Sequence, residues 1–248
     1  MLQTAPPVLD SCMFWAVLMQ RAPPVLDSCM FLVIRCKDRA PGAGFACLPG
    51  EGSMREWLNW VAGQWQYFAF VLVMVAIWAW QPMALAYERD AILAGQWWRV
   101  LTGQYLHLSL GHLIGNMLGL GVAWLLFASN WQGWRFVGLT VICVVGSNLG
   151  MFLLHPSIEY YVGFSGALYG LIAFGALSDW FNRVLFGRVI TLGLILKVSW
   201  EYFVEPVAWF AWGDVSLLAV EAHFFGVLSG FAVAVLLRGR TAKPAPGA

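Results

Sequence analysis

Apolar stretches of near-membrane length alternate with short polar segments over most of the chain. They predict helices at residues 65–86, 109–129, 134–155, 165–181, 184–203 and 215–237. Each stretch approaches the roughly 20 apolar residues that a helix needs to cross a bilayer. Pro82 is expected to kink or end the first helix. The third helix contains Gly146, Ser147, Asn148 and Gly150, a run of small and polar residues typical of helix–helix packing.

The composition identifies the chain as an integral membrane protein. Hydrophobic residues make up 60% of its 248 residues and charged residues only 11%, whereas soluble domains carry about 25% charged residues. The 15 tryptophans suit the aromatic belts found at membrane interfaces. We therefore predict an all-α membrane protein, a bundle of six transmembrane helices surrounded by lipid. The net charge of +1 gives no sign of a nucleic-acid partner.

The cysteines indicate neither a metal site nor a disulfide framework. Four of them lie in the first 47 residues, at Cys12, Cys29, Cys36 and Cys47, and Cys143 alone lies in the apolar part of the chain. No histidine stands near the first four, so their pattern is not that of a zinc site. The sequence indicates no cofactor, and it leaves the oligomeric state open.

The first part of the chain carries an identical repeat, Ala-Pro-Pro-Val-Leu-Asp-Ser-Cys-Met-Phe, at residues 5–14 and 22–31. The apolar runs in this part are too short to cross a membrane. We expect residues 1–53 to be a disordered or non-native extension outside the folded unit. The six-helix domain is then expected at residues 54–238, starting at Met54, with a cytoplasmic tail at residues 239–248.

Basic residues concentrate in alternate connecting segments. They are Arg55, Arg135, Arg183, Arg188, Arg238, Arg240 and Lys243. The other segments carry mainly acidic residues, namely Glu88, Glu159, Glu201, Glu205 and Asp214, with Arg89 and Arg99 as exceptions. Because cytoplasmic loops are enriched in Lys and Arg, both termini are predicted to be cytoplasmic.

This orientation predicts that four polar residues from three helices lie in one layer near the outer surface. His112 and Asn116 are four residues apart, so they share one face near the start of the second helix. The fourth helix begins at Ser165 and is about 25 Å long. That length is too short for a hydrocarbon core of about 30 Å, so the serine is expected to lie below the surface. His223 lies about 12 Å along the sixth helix.

Such a layer can carry acyl-transfer chemistry, since polar residues inside a membrane are candidate functional residues by default. The alternative for each residue is an interhelical hydrogen bond with a packing role. A serine hydroxyl is a weak nucleophile until a base takes its proton, and His223 is the predicted base for Ser165. Glu221 is two residues from His223 and points to another side of its helix, so we predict a Ser–His dyad without a third member. Asn116, His112 and the backbone N–H of Ser165 are the predicted oxyanion donors.

Small residues are expected to bring the two catalytic helices close together. Gly166 and Gly170 are four residues apart on the fourth helix, and Gly226 and Gly230 are four apart on the sixth. Two small surfaces of this kind allow the backbones to approach closely. Tyr169 lies one turn after the serine and is expected to stack on the imidazole of the base. Its alternative role is simple packing.

Lys197, in the fifth predicted helix, has two candidate roles. An ion pair with Glu221 would latch the fifth helix to the sixth. The alternative is that the lysine stem lies along apolar surface and carries its charge to the interface.

These residues resemble the rhomboid family of intramembrane serine proteases over nearly all of the apolar region. The matching motifs are Gly163-Phe164-Ser165-Gly166 with Tyr169, His107 with His112 and Asn116, Ala222-His223 with Gly226 and Gly230, and Trp98-Arg99. The resemblance implies cleavage of membrane-anchored substrates by Ser165 and His223, with the other motif residues in supporting roles. It also implies that the fifth helix and the external loop 203–214 admit the substrate helix.

Within that family the sequence looks most like the rhombosortase branch, because of its short first external loop with Gln96-Trp97-Trp98-Arg99. The resemblance implies single-span substrates with a C-terminal Gly-Gly segment, a membrane helix and a basic tail. It further implies a bacterial inner membrane and a site that opens to the periplasm. Three alternatives are a general rhomboid protease, an inactive rhomboid-like protein that binds helices, and a small transporter or channel.

Overall fold

A computed structural model of the chain describes residues 64–131, 133–204 and 219–238. The predicted extension at residues 1–53, the tail at 239–248 and residues 205–218 of the predicted gate loop lie outside the described residues. From Tyr67 onward the described residues belong to one unit.

The helices, in chain order, are α1 (Trp65–Trp80), α2 (Arg89–Leu93), α3 (Trp98–Thr102), α4 (Leu110–Trp131), α5 (Trp134–Leu154), α6 (Ser165–Phe181), α7 (Leu185–Phe203) and α8 (Val220–Leu237). Short 3-10 turns cover Met83–Leu85 and Gly103–Tyr105, and the strands β1 (Tyr87–Glu88) and β2 (Tyr160–Tyr161) have two residues each. The predicted helix at 165–181 is confirmed at both ends, and the three at 109–129, 134–155 and 184–203 agree within two residues.

Two predicted helix ends were wrong. The first helix stops at Trp80 rather than at residue 86, because Gln81 adopts a positive φ of 49° just before Pro82 and proline lacks the N–H that would continue the helix. The last helix begins at Val220 rather than at residue 215, since the backbone of Ala219 is not helical, with φ −78° and ψ 86°. His223 therefore lies in the first turn of α8, about 5 Å from its start.

Three of these helices, α4, α5 and α8, are long and apolar enough to cross a membrane. Helix α1 is also apolar but shorter, and α7 carries Arg188, Lys197 and Glu201 within an otherwise apolar sequence. Large hydrophobic side chains such as Leu72, Leu118 and Leu196 are exposed on the outer surface, as expected of an integral membrane protein. Six spans and cytoplasmic termini remain predictions.

Helix α6 occupies the centre of the bundle, where α4, α5, α7 and α8 all pack against it. Its sequence is rich in glycine and alanine, so neighbouring backbones can approach closely. An aromatic core that includes Trp124, Phe127, Phe136 and Phe174 fills the space between α4, α5 and α6. This packing fixes α6 and places its first residue, Ser165, against the neighbouring helices.

The segment between α1 and α4 folds over one end of the bundle. Strand β1 in this segment pairs antiparallel with β2, which lies just before α6, and Tyr87 is opposite Tyr161. The prediction of an all-α protein did not include this strand pairing. The pairing ties the segment to the chain that leads into Ser165.

Candidate active site

Ser165 is the first residue of α6 and follows a turn that requires glycine. Gly163 has a φ of +121°, a region that residues with a side chain rarely adopt. The ring of His112 also lies directly against Gly163, so that a Cβ atom there would collide with it. Glycine is therefore required at position 163, two residues before Ser165, for both a conformational and a steric reason. The Ser165 side chain is half-buried.

His223 contacts Ser165 from the neighbouring helix α8. Its Nε2 atom lies 2.9 Å from Ser165 Oγ, which is hydrogen-bonding distance. The Tyr169 ring stacks on the imidazole with centroids 4.2 Å apart and planes 10° apart, so the predicted stacking is confirmed. His223 itself is 5% exposed.

The glycines of α6 and α8 explain how these two side chains can meet. A Cβ atom at Gly226 would collide with the carbonyl oxygen of Gly166, and one at Gly230 would collide with that of Gly170. The predicted contact between two small-residue surfaces is therefore present, with backbone against backbone. Any larger residue at these positions would separate the serine from the histidine.

Three polar residues lie near the start of α4, and one of them packs against the turn before Ser165. His112 packs on Gly163, and the ring of His107 lies edge-on to that of His112 with centroids 5.0 Å apart. Burial, and secondarily the neighbouring His112, lowers the pKa of His107 to about 3. Asn116 is 5% exposed, and its Nδ2 donor has no hydrogen-bond partner among the described residues. Within the part of the chain that the structure describes, a buried amide donor one turn after His112 is thus unpaired.

A buried hydrogen-bond network that the sequence did not indicate supports the start of α6. Gln104 accepts a hydrogen bond from the Ala167 N–H (2.8 Å) and donates one to Asn148 (2.9 Å). Asn148 in turn donates to the carbonyl of Val100 at 2.7 Å. Ser147 donates to the carbonyl of Ala222, the residue before His223, at 2.8 Å. The small and polar run of α5 is therefore a packing face, as predicted, and it also supports both halves of the site.

Tyr161 is a second contact that the sequence did not single out. Its hydroxyl donates to the Gly163 carbonyl at 2.9 Å, accepts from the Gly166 N–H at 3.4 Å and lies 3.4 Å from Ser165 Oγ. Burial raises the pKa of this phenol to about 12, so it stays protonated. The sequence feature that could have indicated Tyr161 is its position just before the turn at Gly163.

Arg99 lies outside the site and holds together the segment between α1 and α4. Its guanidinium donates to the carbonyl of Ala86 at 2.8 Å and to Gln96 Oε1 at 2.8 Å, and it pairs with Glu88 at 3.4 Å. The arginine is 7% exposed. Although Arg99 is a basic residue on the predicted outer side, its charge therefore has hydrogen-bond acceptors and an acidic partner within the same segment.

Two charged residues of α7 have neighbours that the sequence did not indicate. Lys197 does not pair with Glu221; its ammonium lies 2.6 Å from Glu201 Oε1, one turn away on α7. Nor is the histidine without an acidic neighbour, because Glu201 Oε2 lies 3.7 Å from His223 Nδ1. Glu201 is predicted to belong to an external segment, yet the residue is only 4% exposed. The four-residue spacing of Lys197 and Glu201, typical of helical ion pairs, was the usable signal.

The site contains the parts for nucleophilic chemistry on a carbonyl group. A serine hydroxyl contacts an imidazole, and the buried amide donor of Asn116 lies on a third helix. Over residues 64–131, 133–204 and 219–238, no group of three His, Cys, Asp or Glu side chains is arranged to hold a metal ion.

The fold and this geometry define an integral membrane protein with a serine–histidine contact buried between its helices. Residues 94–240 match the family described as Rhomboid domain, and this match covers more than half of the chain. The chain therefore belongs to the rhomboid family.

Two curated relatives come from Bacillus subtilis (strain 168). "Putative rhomboid protease YdcA" is 24% identical over 176 residues, which cover 69% of this chain and 81% of that protein. "Rhomboid protease GluP" is 28% identical over 155 residues, which cover 61% of this chain but only 28% of that protein. The chain thus corresponds to most of the first relative and to a minor part of the second.

Proposed function

We propose that this protein is an intramembrane serine endopeptidase that uses a Ser165–His223 dyad. The 2.9 Å contact between Ser165 Oγ and His223 Nε2 is the observation that carries the proposal. It joins a half-buried serine at the start of one helix to an imidazole on another, which is the arrangement that activates a serine nucleophile. Membership of a family whose named relatives are proteases supports the same conclusion.

In the proposed reaction, Ser165 Oγ attacks the carbonyl carbon of the substrate peptide while its proton moves to His223 Nε2. The imidazolium then gives that proton to the leaving nitrogen, and an acyl-enzyme forms on the serine. Water, activated by the same imidazole, releases the second product and restores the hydroxyl. The protons balance within the dyad over the full cycle.

The charge that develops on the carbonyl oxygen needs donors that are already in place. Asn116 supports this step best, because its buried Nδ2 has no partner among the described residues. His112, which packs on the glycine turn beside the serine, and the backbone N–H of Ser165 complete the proposed oxyanion hole.

The substrate class is proposed to be single-span membrane proteins cleaved near the outer leaflet. A substrate helix must unwind to expose a carbonyl, since helical carbonyls are held in intrahelical hydrogen bonds. The distribution of Lys and Arg residues supports both termini in the cytoplasm. The resemblance to the rhombosortase branch supports a bacterial inner membrane with the site open to the periplasm.

Labelling with a fluorophosphonate tests the dyad without a known substrate. Purified protein should be labelled, and labelling should disappear in Ser165→Ala and fall by at least about 100-fold in His223→Ala. If Ser165→Ala labelled as strongly as the wild type, the serine assignment would be wrong. In that case a rhomboid-like protein that binds helices without cleaving them would become the leading interpretation.

The narrower proposal is that the substrates carry a C-terminal Gly-Gly segment, a single helix and a basic tail. It rests on the resemblance of residues 96–104 to the rhombosortase branch. Two membrane reporters that differ only in Gly-Gly versus Leu-Leu before the helix would test it. Preferential cleavage of the Gly-Gly reporter is expected, whereas equal cleavage would favour a general rhomboid protease.

A further inference from the structure

Glu201 presents a carboxylate oxygen to the side of the imidazole that faces away from the serine. His223 Nε2 contacts Ser165 Oγ at 2.9 Å, and Nδ1 of the same ring lies 3.7 Å from Glu201 Oε2. Serine, imidazole and carboxylate therefore follow one another across three helices, α6, α8 and α7.

The two carboxylate oxygens of Glu201 have different roles. Oε1 accepts a hydrogen bond from Lys197 Nζ at 2.6 Å. Oε2 and His223 Nδ1 are both buried, and neither has a hydrogen-bond partner among the described residues. Two unpaired, complementary atoms that face each other in a buried site are costly unless they pair at some stage. A closure of somewhat under 1 Å would bring them to hydrogen-bonding distance, about 2.7–2.9 Å for charged partners.

We propose that Glu201 is a positioning residue that completes a Ser165–His223–Glu201 triad, with Lys197 holding the glutamate in place. This inference rests on the proposed protease function. If Nε2 is to accept the serine proton, neutral His223 must carry its own proton on Nδ1, and Glu201 is the acceptor for that N–H. The glutamate stays ionised throughout and stabilises the imidazolium formed during transfer.

Lys197 connects the glutamate to the stacked tyrosine. Its ammonium lies 4.9 Å over the Tyr169 ring, and Tyr169 stacks on His223. Lys197, Glu201, His223 and Tyr169 thus form a closed ring of contacts between α6, α7 and α8. The lysine offsets the charge of a carboxylate that is 4% exposed, which would otherwise be costly inside a membrane protein.

Charged and titratable side chains from several helices lie around His223, and they determine which control variant is suitable. Helix α7 contributes Glu201 and Lys197, and His112 faces the site from α4. Glu221 lies two residues away on α8 itself. Among the described residues, only Glu201 comes within ion-pair distance of the imidazole. Glu221→Gln is therefore a matched control that removes the same charge from nearby without touching Nδ1.

The kinetic test uses the full chain in liposomes with a single-span reporter. Glu201→Gln should lower kcat on the order of 100-fold, less than the roughly 10⁴-fold loss when the aspartate of a serine protease triad is changed. KM should change less than about threefold, because Glu201 acts through His223 rather than on the substrate. The acid limb of the rate–pH profile should move to lower pH. Glu201→Asp should restore part of the rate, and Glu221→Gln should match the wild type.

A structural role for the Lys197–Glu201 pair predicts a different pattern. Glu201→Gln would then reduce the folded fraction while leaving kcat per folded enzyme and the acid limb unchanged, and that result would overturn the proposal. Lys197→Met is the second variant. It should also lower kcat with little effect on KM, since it releases the carboxylate that it holds.

¹⁵N NMR of protein labelled with ¹⁵N-histidine reports the tautomer of His223 and does not require protease activity. The chain has four histidines, so the His223 signals can be assigned by comparison with His223→Ala. We expect the Nδ1–H tautomer in the wild type and in Glu221→Gln, and a mixture of tautomers in Glu201→Gln. An unchanged tautomer in Glu201→Gln would refute the triad even if the dyad were active. If the wild type cleaved no reporter while Glu201→Gln still showed the expected tautomer shift, the protease function alone would be refuted.

Discussion

Polar residues lie close together at both ends of α6, but the two ends differ in how many of those residues are hydrogen-bonded. At the end that includes Asp179, Asn130 donates to the Asp179 carboxylate at 2.9 Å and to the Gly175 carbonyl at 3.4 Å. At the other end, the Ser165 contacts leave Asn116 Nδ2, His223 Nδ1 and Glu201 Oε2 without hydrogen-bond partners among the described residues.

The difference separates polar residues that hold the helices together from polar residues available for a reaction. Paired groups at the Asp179 end recover the cost of their burial by hydrogen bonding. Groups at the Ser165 end that are unpaired among the described residues raise the free energy of the resting state until they pair with each other, with a ligand or with a transition state. We therefore expect changes at the first end to alter stability and changes at the second to alter rate.

The largest expected effect is on rate, from Asn116→Ala. Loss of one oxyanion donor typically lowers kcat by about 10²–10³-fold. Since Asn116 Nδ2 has no hydrogen-bond partner among the described residues, the melting temperature should stay the same or rise. Reporter cleavage and thermal unfolding, measured on the same preparation, check both parts.

Asn148→Ala is the matched control for Asn116→Ala. Asn148 is equally buried but fully engaged, with hydrogen bonds to Gln104 and to the Val100 carbonyl. It should lose about 1–3 kcal/mol of stability. If Asn116→Ala lost stability to the same extent with an unchanged kcat per folded enzyme, the contrast between unpaired and paired amides would not hold.

Gly226→Ala should reduce both stability and rate. Its Cβ would collide with the Gly166 carbonyl oxygen, so α6 and α8 must separate, at a cost of about 1–3 kcal/mol. The separation also lengthens the Ser165–His223 contact. Gly193→Ala on α7 is the control, because a Cβ there meets nothing within 4 Å and alanine favours helix. A Gly226→Ala protein with wild-type activity would show that the helix contact does not position the site.

At the Asp179 end, Asn130→Ala should affect stability alone. It removes the amide donor of Asp179, and loss of a hydrogen bond to a charged group costs about 1.5–3 kcal/mol. The rate of fluorophosphonate labelling per folded molecule should equal that of the wild type. Slower labelling of the folded fraction would show that the two ends of α6 are coupled.

Much of this arrangement was predictable from the sequence because it rests on local patterns. The bounds of α6, the facing glycine surfaces and the stacking of Tyr169 all follow from helical spacing. The network through Gln104 was not predictable, because it joins a short 3-10 turn to α5 and α6 across the fold. Glu201 was missed for a related reason: as an acidic residue near a helix end it looked like part of a loop, and only tertiary packing turns it toward His223.

The smallest expected effect concerns pH and His107, which lies in the segment just before α4. Its pKa of about 3 in the folded protein is below the usual value of about 6.5. Between these values the unfolded chain binds a proton that the folded protein excludes, so His107 lowers stability as the pH falls from about 6.5 toward 3. His107→Gln removes that contribution. The melting temperature of the variant should therefore decline less between pH 7 and pH 5 than that of the wild type. Parallel declines would mean that folding does not lower the pKa of His107. His155→Gln is the control, since it removes a histidine that lies against Tyr202 and Phe225, away from the turn before Ser165.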